Sequence, residues 1–221
     1  MSIRIFEMAK IFYEILNKDQ ARLFPQLKFL SKKGFYLAGG TALALQLKHR
    51  TSLDFDFYTP SHFNAPQLLD VLKKTFPQKI EEVSIAKDTL FVRIDKVSSS
   101  FFWYQYPLVS PLIKTKGPLL ASLSDIAAMK LIALTGRAKK RDYIDIFYLL
   151  EKLSLGEMFK AARKKYSLFN PYIVRRALTF FDDVEEENGR IEILDKNFSW
   201  KKAKEKIFSE VKRYQLAMIR K

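Results

Sequence analysis

Cysteine is missing altogether from the 221 residues. Its absence excludes disulfide staples, thiolate nucleophiles and cysteine-ligated metals, and it fits a cytoplasmic protein. Long apolar runs are missing too. No stretch approaches the roughly 20 residues that a membrane-spanning helix needs. The opening residues, MSIRIFEMAKIFYEIL, carry Glu7 and Glu14 and lack the apolar core of a signal peptide. A cytoplasmic protein with no membrane partner is therefore expected. There is also no internal repeat and no low-complexity linker.

Acidic residues are few. Asp and Glu number 24 against 39 Lys and Arg, a formal net charge of +15. The imbalance is spread along the chain, with 18 basic against 11 acidic residues up to residue 136 and 21 against 13 beyond it. A field of this sign favours polyanionic partners, nucleic acid above all. A general lysine bias would produce the same sum, so charge alone does not assign a partner. Hydrophobic residues make up 48%, with 19 Phe and 10 Tyr, enough for a real core in one large domain or two small ones.

The apolar spacing predicts a helix over residues 3–17 and another over Gln20–Lys33, closed by Gly34. A helix over Gln67–Phe76 follows Asn64-Ala65-Pro66. Three strands of a meander are expected at Ile80–Ala86, Thr89–Asp95 and Ser100–Tyr106. Beyond residue 120 the pattern is helical: Asp125–Arg137 capped by Ser122 or Ser124, then Asp142–Leu153, Gly156–Tyr166, Pro171–Glu187 and Ser199–Ile219, with Ile191–Leu194 a short apolar interruption. The fold class is thus α+β. A mixed sheet flanked by helices is expected over 1–120 and a helical half over 121–221.

The stretch Phe35–Tyr58, FYLAGGTALALQLKHRTSLDFDFY, concentrates the chemistry. An apolar strand runs into Gly39-Gly40-Thr41, a helix follows, and the chain returns as the alternation Leu53-Asp54-Phe55-Asp56-Phe57. Alternation projects Asp54 and Asp56 from one strand face. Two neighbouring carboxylates can share Mg²⁺ whose remaining positions are filled by nucleotide phosphates. Glycines 39 and 40 allow positive φ and close approach of a phosphate, and the following helix N-terminus supplies N–H donors. In isolation an Asp-x-Asp strand is more often a solvated face and Gly-Gly a plain turn; a strand–turn–helix–strand return would bring the two features together. Asp142 and Asp145 lie three apart, hence on one helix face, where a solvated helix N-terminus is the plain alternative. Lys130 suits a triphosphate or is a surface lysine. Arg50 and Ser52 stand between phosphate contact and loop polarity. His49 reads as structural, with no catalytic role.

Together these residues resemble a known family. Gly39-Gly40-Thr41, twelve residues, then Asp54-Phe55-Asp56 is similar to the active-site motif of polymerase-β-type nucleotidyltransferases. LAGGTALAL followed by HRTSLDFDF resembles the AbiEii/AbiGii (MenT-like, type IV toxin–antitoxin) branch. Asp125…Lys130 and Lys140-Arg141-Asp142-x-x-Asp145 resemble its later motifs. The resemblance implies transfer of NMP from an NTP to an RNA acceptor, the tRNA 3′ end included, by a toxin paired with an antitoxin. It implies Asp54 and Asp56 as metal ligands for Mg²⁺ or Mn²⁺, with Lys130, Asp142 and Asp145 also catalytic. Gly39, Gly40, Thr41, Arg50, Ser52 and Arg141 would bind the nucleotide. Asp145 is the candidate general base. One feature departs from the pattern: many polymerase-β-type enzymes carry a third carboxylate on a later strand, and Phe101–Tyr106 has none. The helix aspartates substitute for it, or the chain is an inactive fold that binds nucleic acid or a partner. A protein acceptor is the other enzymatic alternative. Basic residues of the last helices (Arg163-Lys164-Lys165, Arg175-Arg176, Lys201-Lys202) would flank the cleft.

Overall fold

The computed structural model describes residues 10–187 and 192–219. Residues 3–9 of the helix expected over 3–17 lie outside the described residues, and residues 10–17 do not form it. Within the described part only a 3-10 turn, Tyr13–Ile15, forms, and the Phe12 N–H donates to the Leu45 carbonyl at 2.8 Å. Asn17 then opens α1 (Lys18–Leu23). It accepts the Gln20 N–H, and Gln20 accepts the Asn17 N–H in return, a reciprocal cap. The winding reaches Lys33 as expected, but not as one α-helix. It tightens at Phe24 into a 3-10 helix, Phe24–Lys33. Pro25 is the local reason, because it has no N–H to return to Ala21 and its ring crowds that carbonyl. Leu23, Leu27 and Leu30 are buried nonetheless, and Gly34 ends the segment at φ 82°.

Five strands form one sheet: β1 (Tyr36–Ala38), β2 (Phe55–Thr59), β3 (Ile80–Ala86), β4 (Thr89–Ile94) and β5 (Val97–Trp103). Their order is β1-β2-β5-β4-β3, with β2 and β5 parallel and the other neighbours antiparallel. The meander starts where expected, but its last strand begins three residues earlier than the sequence predicts. Asp95 and Lys96 both take positive φ (47° and 72°) and turn the chain in two residues. On one face of the sheet Phe55, Phe57 and Phe101 are completely buried, with the Phe57 and Phe101 rings stacked at 5.0 Å. Each such ring stabilises the fold by about 2 kcal/mol. The other face carries Asp56 and Tyr58.

Helix α2 (Gly39–Leu47) links β1 to β2, and α3 (Ala65–Thr75), capped by Asn64, packs against β3 and β4. The remaining helices are α4 (Leu123–Gly136), α5 (Lys140–Leu149), α6 (Leu155–Lys165), α7 (Pro171–Leu178) and α8 (Trp200–Ile219). The central one is α4, which packs against α2, α5, α6 and α7. The single helix expected over Pro171–Glu187 ends at Leu178. There the Tyr143 hydroxyl reaches the carbonyls of Ala177 and Phe180, satisfying the helix end, and Phe181 folds back onto Tyr143 and Trp200. One apolar cluster includes Leu43, Phe57, Leu131, Phe159 and Val211, so the core runs through both halves of the chain. Of the expected apolar stretch Ile191–Leu194, Ile191 lies outside the described residues. Ile193 bridges Arg50, and the Leu194 N–H donates to the His49 carbonyl at 2.9 Å. Among the described residues no helix is long and apolar enough to cross a membrane.

Candidate active site

A cavity of about 830 Å³ lies between the polar face of β2, the start of α2, and helices α4 and α5. Gly39, Gly40, Arg50, Ser52, Asp54, Asp56, Lys130, Arg141 and Asp142 all line it. Residues more than 100 positions apart in sequence thus share one space. Thr41 and Asp145 do not line it, and each has a different position from the one expected.

The glycine turn is shaped by its neighbours. Gly39 has φ 68°, and a Cβ there would meet Asp56 Oδ2 at 2.8 Å. A Cβ on Gly40 would meet Arg50 Nη2 at 2.7 Å and Ser52 Oγ at 3.0 Å. Only glycine lets the strand, the arginine and the carboxylate approach so closely. No side chain caps α2 at Ala38, which leaves the first N–H groups of the helix for an anion. Thr41 is buried, and its hydroxyl donates to the Asp54 carbonyl. That contact anchors Asp54 just before β2 begins. The expected phosphate contact from the Thr41 hydroxyl does not fit, because its proton is already committed.

Asp54 and Asp56 supply the carboxylates. Burial first, and then the neighbouring charge of Asp54, raise the Asp56 carboxyl above the usual carboxylate range; Lys130, Arg141 and Arg137 pull the other way. Two oxygen-donor side chains that repel each other in this way suit a hard divalent cation. Among the described residues no group of three or more His, Cys, Asp or Glu could hold a metal, so substrate and water oxygens would have to complete the shell. On the neighbouring strand the position beside Asp56 carries no carboxylate. The residue paired with Asp56 on the parallel neighbour β5 is Ser100.

Behind the cavity lies a buried charge network. Asp145 is completely buried and accepts from Arg50 Nε at 2.7 Å, Arg50 Nη2 at 2.8 Å and His49 Nε2 at 2.8 Å; Lys130 Nζ lies 2.6 Å from its Oδ2. Burial alone would raise its carboxyl, but Lys130, Arg50 and His49 together hold it well below the usual range. A carboxylate so engaged has no free lone pair facing substrate. The reading of Asp145 as general base therefore does not fit; its place is to hold Arg50 and Lys130. Arg50 is itself nearly completely buried, with Nη1 donating to the Thr51 carbonyl at 2.8 Å. It braces the glycine turn, with Nη2 2.7 Å from where a Cβ on Gly40 would stand, and contributes only a buried edge to the cavity wall. Lys130 bridges the network to the cavity by donating to Asp142 Oδ1 at 2.6 Å. Of the two helix aspartates, only Asp142 reaches the cavity wall. Asp125, in the same resembling motif, is sealed away from the cavity. It accepts from the N–H groups of Val109 and Ser110, the Ser122 hydroxyl and Lys165, and so ties α4 to α6.

His49 has the structural role expected. Among the described residues its buried Nδ1 has no partner, which assigns the proton to Nε2 facing Asp145. Burial lowers its pKa; the Asp145 contact opposes that, and Arg50 and Lys130 reinforce it. With the folded-state value depressed, the unfolded chain takes up the proton first. Stability is then full above the ordinary value of 6.5 and falls as the pH drops below it. Urea melts between pH 7.5 and 5 should lose at most about 1.4 kcal/mol per pH unit to this group, and His49→Gln should flatten that loss.

The cavity has further walls that the sequence reading passed over. Tyr58 and Tyr104, packed together at 5.2 Å, line it with Met129 and Ala133 of α4, and Arg137 and Lys140 add charge. Tyr58 was legible in principle, since it continues the alternation of Asp54 and Asp56 by one step. Tyr104 carried no local signal; it reaches the site because β5 lies beside β2.

Residues 26–117 and 117–218 match the family model described as nucleotidyl transferase AbiEii toxin, type IV TA system. An uncharacterized protein of Aquifex aeolicus is 35% identical over 182 residues, covering 78% of this chain and 86% of its own. Among solved structures, the Mycobacterium tuberculosis nucleotidyltransferase toxin MenT4 superposes with a TM-score of 0.55 at 16% identity, over 88% of this chain and 84% of that one. JHP933 from Helicobacter pylori gives 0.53 at 18% identity, over 89% and 94%. At such identities these two likenesses speak for the fold alone.

Proposed function

The chain belongs to the AbiEii nucleotidyl transferase toxin family of type IV toxin–antitoxin systems, and from that premise we propose that it transfers an NMP group from an NTP to an RNA acceptor. The observation that supports this best is the single cavity in which the uncapped start of α2, the Asp54–Asp56 pair and the Lys130–Asp142 pair face one another.

In this reading the N–H groups of Gly39 and Gly40, with the Ser52 hydroxyl, hold the β- and γ-phosphates. Lys130 and Arg141 offset their charge. Asp54 and Asp56 hold Mg²⁺, which when bound stabilises charge on the transferring phosphoryl group. Thr41 fixes Asp54 through its carbonyl, while Asp145 keeps Arg50 and Lys130 in place. Asp142 orients the Lys130 ammonium toward the cavity. The acceptor hydroxyl attacks the α-phosphorus and pyrophosphate leaves. Preorganised cations and N–H donors in a partly closed cleft contribute most of the rate in chemistry of this kind. A net charge of +15 suits an RNA acceptor, the tRNA 3′ end included, in the cytoplasm. Family membership supports a cognate antitoxin as protein partner.

The purified protein, incubated with Mg²⁺, total RNA and each of the four NTPs labelled in the α-phosphate, should label RNA. Label confined to protein would make a protein side-chain hydroxyl the acceptor instead. The serine opposite Asp56 favours one second reading, a fold that binds nucleic acid without catalysis. No incorporation into any acceptor, with RNA binding intact, would establish that reading.

A further inference from the structure

We propose that Tyr58 is an acceptor-side residue, its hydroxyl hydrogen-bonding the terminal ribose of the RNA that attacks the nucleotide. The inference rests on the transfer reaction proposed above and assigns the end of the cleft at which the acceptor enters.

The placement follows from sheet register and from the geometry of phosphoryl transfer. Ala38 pairs with Asp56, so Gly39 lies beside the start of β2 on its β1 side. Phosphates held there put the leaving pyrophosphate at that corner. Attacking and leaving oxygens lie roughly in line across the transferred phosphorus. The acceptor must therefore come from the diagonally opposite corner, beyond Asp56 on the β5 side. Tyr58 stands at that corner, one side-chain repeat from Asp56 on the same face, about 6.8 Å along the strand. On the β5 side Phe102 pairs with it, and the chain continues to Tyr104.

Side-chain contacts single out Tyr58 among the aromatic residues there. Its ring is held by three neighbours, Tyr36 at 6.2 Å, Tyr104 at 5.2 Å and Phe102 at 5.4 Å between centroids. The Tyr104 hydroxyl is already paired with that of Tyr166. The Tyr36 hydroxyl is buried away from the cavity. Tyr58 lines the cavity, and among the described residues none hydrogen-bonds its hydroxyl. A rigidly mounted phenol with a free hydroxyl, next to the metal carboxylates, suits a ribose hydroxyl. Tyr58 and Tyr104, with Met129 and Ala133 in the same cavity lining, offer aromatic and apolar surface for the terminal base. In the step itself the acceptor oxygen bonds to the α-phosphorus, the bond to the bridging oxygen breaks, and pyrophosphate carries that oxygen away. The acceptor proton passes to solvent, and Tyr58 keeps its own proton.

Tyr58→Phe keeps the ring and its packing, so thermal unfolding should match the wild type. Steady-state transfer should show kcat/KM for the RNA acceptor reduced about fivefold to tenfold, with KM for the NTP within about twofold of wild type. A raised NTP KM with unchanged acceptor KM would place Tyr58 on the incoming nucleotide and overturn the proposal. Unchanged values for both would overturn it equally. Should the wild type transfer to no acceptor, the functional reading fails and binding decides the subsite separately. Fluorescence anisotropy with a labelled oligoribonucleotide ending in ribose or in 2′,3′-dideoxyribose should show a several-fold preference for ribose that Tyr58→Phe abolishes. Equal binding of the two oligonucleotides by the wild type would contradict the assignment.

Discussion

Asp56→Asn is expected to lower nucleotidyl transfer by about 10³-fold or more while leaving the fold intact. The substitution keeps the size of the side chain and its fit against Gly39, where Asp56 Oδ2 limits the space to 2.8 Å from a Cβ. It removes one of the two carboxylates available to a divalent cation. Metal stabilisation of a transferring phosphoryl group amounts to several kcal/mol, and each 1.4 kcal/mol is tenfold in rate. The same variant should be slightly more stable than wild type when no metal is added, because it removes a carboxyl that burial and Asp54 both disfavour in its charged form. Loss of activity with unchanged or raised melting temperature separates a functional carboxylate from a structural one. A rate within tenfold of wild type would place the chemistry elsewhere.

Asp145→Asn should give the opposite signature. Here the carboxylate lies between Arg50, His49 and Lys130 with no exposure to solvent. Removing its charge leaves one guanidinium and one ammonium buried without full compensation, which costs about 3–5 kcal/mol. Chemical denaturation should report that loss directly. Asp142→Asn should cost less, since Lys130 retains Asp145 and Asp142 borders the cavity, where water can replace the contact. Transfer by the Asp145 variant, measured at a temperature where it stays folded, should fall because Lys130 and the glycine turn lose their support. A variant as stable as wild type would show that the network is not what holds these groups.

The contrast between the two aspartates also marks what could be read from the sequence. Alternation placed Asp54 and Asp56 together, and the Gly-Gly turn pointed to a phosphate site at a helix start. Both readings depend on spacing over a few residues, and local geometry preserves such spacing. The two helix aspartates, three apart, were equivalent by the same rule. The structure separates them, because Asp145 faces inward to Arg50, 95 positions away, while Asp142 borders the cavity. Side-chain partners at that separation are set by how helices pack and leave no periodic trace. Thr41 shows the same limit. Its place in the glycine motif suggested a phosphate ligand, but the approach of Asp54 took its hydroxyl. The 3-10 winding after Phe24 was legible in Pro25, whereas the early end of α7 was not, because it depends on Tyr143 arriving from another helix.

The central claim is that this cavity breaks an NTP between its α- and β-phosphates and keeps the α side on an RNA acceptor. The most direct measurement compares two labels. Wild-type protein and Asp56→Asn are each incubated with RNA and an NTP labelled either in the α- or in the γ-phosphate. The account predicts that the α-label enters RNA with wild type, that the γ-label appears only in released pyrophosphate, and that Asp56→Asn yields neither product. Entry of the γ-label into RNA, or equal α-label incorporation by both proteins, would contradict it.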